Sequence, residues 1–170
     1  QRIVPYDTAS ISLLHDGRCW IAACRGMEHP SPNGFPLEAA PLMQRVVYER
    51  TPVILPDIAP HRDLTSQELG GAGGDGRQPR GWPPTRGQER SWLGLPLISK
   101  DRVIGVLTAG SCQVGAYDDL ATPASHVAPL ALAFAHQAAL AIDNSRLYEQ
   151  TRASLQETIL LHNVAAATSS

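Results

Sequence analysis

Between Thr8 and Leu14 apolar and hydroxyl-bearing residues alternate, Ala9, Ile11 and Leu13 against Thr8, Ser10 and Ser12. A period of two is that of a β-strand, whose successive side chains point to opposite faces. His15, Asp16 and Gly17 then offer turn chemistry. Arg18 to Arg25, with Trp20, Ile21 and two cysteines, predicts a second strand paired antiparallel with the first. Pro30, Pro32 and Pro36 keep the next stretch irregular up to Pro41, a residue suited to the first helical position. Leu42, Met43, Val46 and Val47 follow at helical spacing as one apolar stripe. Thr51 and Pro52 end that helix, because the residue before proline is pushed out of helical geometry. Val53 to Ile58 reads as a third strand.

Trp92 to Ile98 and Val103 to Ala109 are apolar on both faces, which predicts central strands covered on both sides, with Lys100 and Asp101 as their turn. A helix then begins between Thr122 and Leu130, since Pro123 and Pro129 fit only a first turn. It runs beyond His162, well past the roughly 11 to 12 residues of an average helix, and so must leave the domain body. Leu140 and Leu147 stand seven apart, as do Tyr148, Leu155 and His162, and Leu155 to Ile159 adds a step of four. Ser145 and Arg152 interrupt this heptad seam. Residues 59–90 hold glycine and proline clusters, several arginines and almost no large aliphatics. They read as a long surface loop, an insertion more than a functional lid.

The chain has 170 residues, room for one domain with helix to spare. A net charge of -2 offers no general attraction to phosphate backbones or anionic membranes, so no nucleic-acid partner and no membrane contact is expected. Apolar runs such as Leu130 to Ala135 fall far short of the roughly 18 residues of a membrane span. The first residues lack the make-up of a signal peptide. Cys19, Cys24 and Cys112 match neither a zinc site nor a CxxC pair, and reduced thiols in a cytoplasmic protein explain them. Five positions apart on one strand, Cys19 and Cys24 should face opposite ways.

Gly71 to Gly76 reads GAGGDG, a literal GxGxxG. A dinucleotide site needs a strand before it and a helix after it; polar HRDLTSQEL and proline-broken RQPRGWPPTRG stand there instead, so the match is taken as chance. No two histidines share the spacing of a helical zinc site, so no metal is assigned. His136 reads as a packing or interface residue, and His61 is the one histidine worth testing for haem. No strained nucleophile turn appears, and no catalytic residue is assigned. Asp57 and Trp92 flank the long loop, where turn capping and core packing are their simplest roles.

Gly94, Pro96 and Leu97, then Ile104, Gly105, Val106 and Leu107, then Asn144, Arg146, Leu147 and Tyr148 form an ordered series. With VPYDTASISLL and TPVILPDI upstream, the series resembles the GAF domain, a sensory module of bacterial signalling proteins. The resemblance covers Ile3 to about Gln150, and the family's first helix would lie largely before Gln1. It implies an α+β fold related to PAS domains, a central antiparallel sheet of five or six strands with helices on both faces and a long C-terminal helix. It also implies a small-molecule pocket on the face away from the terminal helices. The motifs of cyclic-nucleotide binders are missing, as is the Cys-His pair that tethers a bilin, so neither ligand nor haem is expected. Cys112 would be a buried or half-buried thiol.

The expected organisation is a sensory domain over 1–150 and a signalling helix over 151–170. Ser10, Ser12, Asp57, Trp92 and Thr108 are the candidate pocket residues for an unknown small molecule. Leu140, Leu147, Tyr148, Leu155 and Ile159 are the candidate dimer and relay positions of a homodimer, coupled to a downstream signalling domain in the same chain. The parent protein would be a two-component histidine kinase, with no catalysis in this domain. A ligand-free dimerisation and relay module is a second reading, supported by the small residues Ala135, Ala138, Ala139 and Ala141 that permit close helix approach. A thiol reductase using Cys24 or Cys112 is a third.

Overall fold

The computed structural model describes residues 4–27, 34–61, 89–122 and 127–168. Thr8–His15 (β1) and Arg18–Arg25 (β2) form the predicted hairpin. Its turn residues Asp16 and Gly17 have φ of 48° and 72°, the left-handed pair that matches strand twist in a two-residue turn. Ser91–Ser99 (β5) and Arg102–Ser111 (β6) repeat the arrangement with Lys100 and Asp101 at 49° and 60°. Helix α1, Pro41–Glu49, starts on its proline and ends at Arg50, whose left-handed backbone returns its N–H to the Val46 carbonyl at 3.0 Å.

Short elements escaped the sequence pattern, the 3-10 turn Leu37–Ala39 among them. Phe35–Pro36 (β3) pairs with Arg18 and Cys19 as an edge strand, a position proline tolerates because one side of the strand needs no donor. Asp118–Ala121 is the brief helix α2. The third strand, Val53–Leu55 (β4), stops short of Ile58, because Asp57 accepts from the Ala59 N–H at 3.0 Å and turns Ala59–His61 into a 3-10 coil. Helix α3 spans Val127–Thr168, 42 residues, or about 63 Å at 1.5 Å per residue. Pro129 sits in its first turn, and the helix passes Gln150 unbroken.

The six strands make one antiparallel sheet in the order β3-β2-β1-β6-β5-β4. Helix α1 packs on one face and α3 on the other, the α+β layering of the sequence reading. On the α3 face Leu93, Leu95 and Leu97 of β5 meet Ala131, Ala135 and Ala139. Small residues there let the helix settle close over the leucine ridge. Ala135 and Ala139 are therefore buried on this chain's own sheet and Ala138 is half-buried, which leaves only Ala141 of the four alanines exposed to another helix. On the α1 face Met43 and Val46 pack with Val53, Val106 and Cys19.

The strand register corrects the expected facing of two cysteines. Between β1 and β2 the pairing steps from Ile11–Ala23 to Ser12–Ile21, so Ala22 is an unpaired bulge residue. The extra residue inverts the phase of β2: Cys24 opposes Ser10 and Cys19 opposes Leu14, both on the same face of β1. Cys112, expected to be at least half-buried, is exposed in the bend after β6; all three thiols are free.

Candidate functional site

The unusual feature of the α1 face is its burial of hydroxyls. Thr8, Ser10 and Ser12 of β1 are 3%, 3% and 0% exposed, while Ala9, Ile11 and Leu13 of the same strand are only half-buried. Pairing places Cys24, Ser10, Thr108 and Gly94 in one row across four strands, with Thr8, Gly110 and Trp92 in the next row. Ser10 Oγ and Thr108 Oγ1 lie 2.7 Å apart and share a hydrogen bond. Thr8 donates to the Glu89 carboxylate, which lies over Gly110 where a side chain would collide with it. Ser12 Oγ is buried without a hydrogen-bond partner among the described residues. Burying a hydroxyl in that state is unfavourable, which marks Ser12 as a polar group open to a further partner.

Of the five candidate pocket residues, Ser10, Ser12 and Thr108 are adjacent, and Trp92 lies on the same face against the α1 cluster. Asp57 is separate. Its carboxylate caps Ala59 and takes two hydrogen bonds from Arg90, at 3.2 and 2.9 Å, while Ile58 N–H donates to the Arg90 carbonyl at 2.7 Å. Asp57 therefore ties the end of β4 to the start of β5 and raises the Arg90 pKa by hydrogen bond and charge. Thr8 and Glu89 are absent from the sequence-based candidates, and Cys24 stands there only as a reductase thiol. Thr8 shares the two-residue period of Ser10 and Ser12 and was legible, whereas nothing in the sequence around Glu89 marks it.

A second carboxylate, Asp7, accepts from Ser111 Oγ at 3.1 Å and the Cys112 N–H at 2.7 Å, which fixes the end of β6. Burial, and then the charges of Glu89 and Asp7, push the Tyr117 phenol up; its oxygen too is buried without a partner among the described residues. Burial pushes the Cys19 thiol up to about 11, and burial followed by Asp7 raises Cys112. Neither thiol is disposed to be a thiolate.

A concavity of about 530 Å³ lies on the α3 side, lined chiefly by Ile11, Leu93, Leu95, Leu107, Leu130 and Phe134, with Ser10 and Cys24 also on its wall. Its mostly hydrocarbon walls offer apolar contact, whereas the hydroxyl row offers the polar groups that would orient a ligand. Among the described residues no cluster of three or more His, Cys, Asp or Glu side chains could hold a metal. His136 is exposed. The His61 side chain and the GAGGDG run lie outside what is described. No described helix is long and apolar enough to cross a membrane.

The family model of the GAF domain matches residues 1–143, and the chain belongs to that family. Among solved structures, it is similar to the GAF domain of an Acinetobacter phosphoenolpyruvate-protein phosphotransferase, with TM-score 0.58 and 17% identity over 84% of this chain and 74% of that one. It is similar also to a type II free methionine-R-sulfoxide reductase from Thermoplasma acidophilum, with TM-score 0.56 and 15% identity over 82% and 80% of the two chains. A third structure is a domain of a protein described as a two-component sensor histidine kinase, from Sinorhizobium meliloti 1021, with TM-score 0.53 and 17% identity over 88% and 87%. Among curated proteins none matches. At these identities the likeness establishes the fold.

Proposed function

We propose that this chain is a non-catalytic sensory GAF domain of a larger signal-transduction protein, of the histidine-kinase kind. In this reading it holds a small polar molecule on the hydroxyl row and passes occupancy to α3. This rests on the buried Ser12 hydroxyl, without a hydrogen-bond partner among the described residues, beside the Ser10–Thr108 pair, on one face of strands whose other face grips α3. A ligand that prefers one of two poses of α3 relative to the sheet would be transmitted by that rod without chemistry. Exposed Leu140, Leu147, Tyr148 and Leu155 support a homodimer along the projecting helix; the Ile159 side chain lies outside the described residues.

Native mass spectrometry of the gently purified domain tests this. The expected result is a small-molecule mass retained by the wild type and lost in Thr108→Val. Protein mass alone in both would favour the ligand-free relay module. A reductase reading draws on the Thermoplasma neighbour and on Cys24 in the same row as Ser10 and Thr108. Turnover of free methionine sulfoxide by wild type but not Cys24→Ser would establish it over the sensory one.

A further inference from the structure

A cleft of about 340 Å³ opens at the end of the sheet where α3 leaves it, away from both the hydroxyl row and the apolar concavity. Four elements build it: the β1–β2 turn with His15 and Asp16, the end of α1 with Arg50, the start of β6 with Arg102, and Arg146 of α3. Arg50 and Arg102 are exposed and Arg146 half-buried. Three guanidinium groups thus share one concavity with a single carboxylate, that of Asp16, on a chain whose net charge is -2.

Two neighbouring acids are engaged with other groups. Glu49, adjacent to Arg50, takes a 2.7 Å bond from Arg45. Asp143, one turn before Arg146, accepts from Ser99 at 2.9 Å and from Lys100 at 3.2 Å, while also feeling the charge of Arg102. The cleft lining itself thus carries three guanidiniums to one carboxylate, positive charge from groups that cannot deprotonate. Leu14, Val47 and Val103 supply apolar walls beside the guanidiniums. A volume of this order exceeds what a lone ion needs and falls in the range of small-ligand sites.

We infer that this cleft is a binding site for a phosphorylated small molecule, its phosphoryl oxygens gripped by Arg50, Arg102 and Arg146. Guanidinium forks match phosphate oxygens in pairs, and a phosphoryl group can engage more than one fork at once. Because Arg146 belongs to α3 and the other two to the sheet and α1, occupancy would tie the departing helix to the body. The site is independent of the hydroxyl row.

Amide NMR of the whole chain, titrated with sodium pyrophosphate against sodium chloride at matched ionic strength, is the test. Saturable shifts at Gly17, Arg50, Arg102 and Arg146 are expected, with affinity at least about tenfold weaker in Arg102→Gln or Arg146→Gln. Arg152→Gln, an exposed control outside the cleft, should leave affinity unchanged, and unshifted core amides report an intact fold in each variant. Shifts that do not saturate, or an Arg102→Gln/Arg146→Gln double variant binding like wild type, would overturn the site. Citrate binding as tightly as pyrophosphate would overturn its phosphoryl assignment.

Discussion

Ser12 and Ser10 lie two positions apart on one strand and make opposite predictions. Ser12→Ala removes a hydroxyl that has no partner among the described residues, so stability in urea should be unchanged or rise by up to about 1 kcal/mol. Ser10→Ala strands the Thr108 hydroxyl and should cost about 1 kcal/mol. A loss from Ser12→Ala as large as that from Ser10→Ala would mean Ser12 is satisfied in the folded protein. Gly94 is a third sensitive position, because a methyl there would run into the Trp92 ring and Val46. Gly94→Ala should lower stability by about 1–3 kcal/mol in the same assay. The alternation that found Ser10 and Ser12 was plain in the sequence, yet alternation gives two faces and not which is the more buried. Here the hydroxyl face is, with Thr8, Ser10 and Ser12 buried while Ala9, Ile11 and Leu13 are half-exposed.

Among the elements, α3 depends on a particular pin. Its inner surface over β5 is alanine, which packs closely but does little to fix register along the helix, whereas Asp143 bonds to Ser99 and Lys100 at the β5–β6 turn. Those partners, Ser99 first, hold the Asp143 carboxyl below its ordinary value of 3.8. A depressed folded pKa means stabilisation present above the unfolded value and lost as pH falls through the folded one. Asp143→Asn should therefore melt earlier than wild type at pH 7, with the gap closing as pH drops below 3.8. A gap independent of pH would show that charge is not what pins the helix. The length and start of α3 were legible from Pro129 and the apolar run. The side it presents to the sheet was not, because a partner helix and a leucine ridge both favour alanine. The β2 bulge was equally hidden, since one unpaired residue leaves no mark on composition but moves Cys19 and Cys24 to one face.

For the whole molecule, GAF membership, the antiparallel sheet and the long terminal helix could all be read from strand motifs in order. The arginine cleft could not, since Arg50, Arg102 and Arg146 meet only through the fold. If the projecting part of α3 pairs with a second copy, sedimentation should give twice 18.2 kDa, and Leu147→Asp with Leu155→Asp should return the single mass. A monomer at every concentration would rule the dimer out. Whether a change on the hydroxyl face is felt by the helix on the other is read by amide hydrogen exchange of Thr108→Val against wild type. That near-isosteric swap breaks the Ser10–Thr108 bond without touching α3. Coupling through the sheet should alter protection along residues 131–143 of α3 as well as in β1 and β6. Exchange that changes in β1 and β6 while α3 stays as in wild type would contradict it.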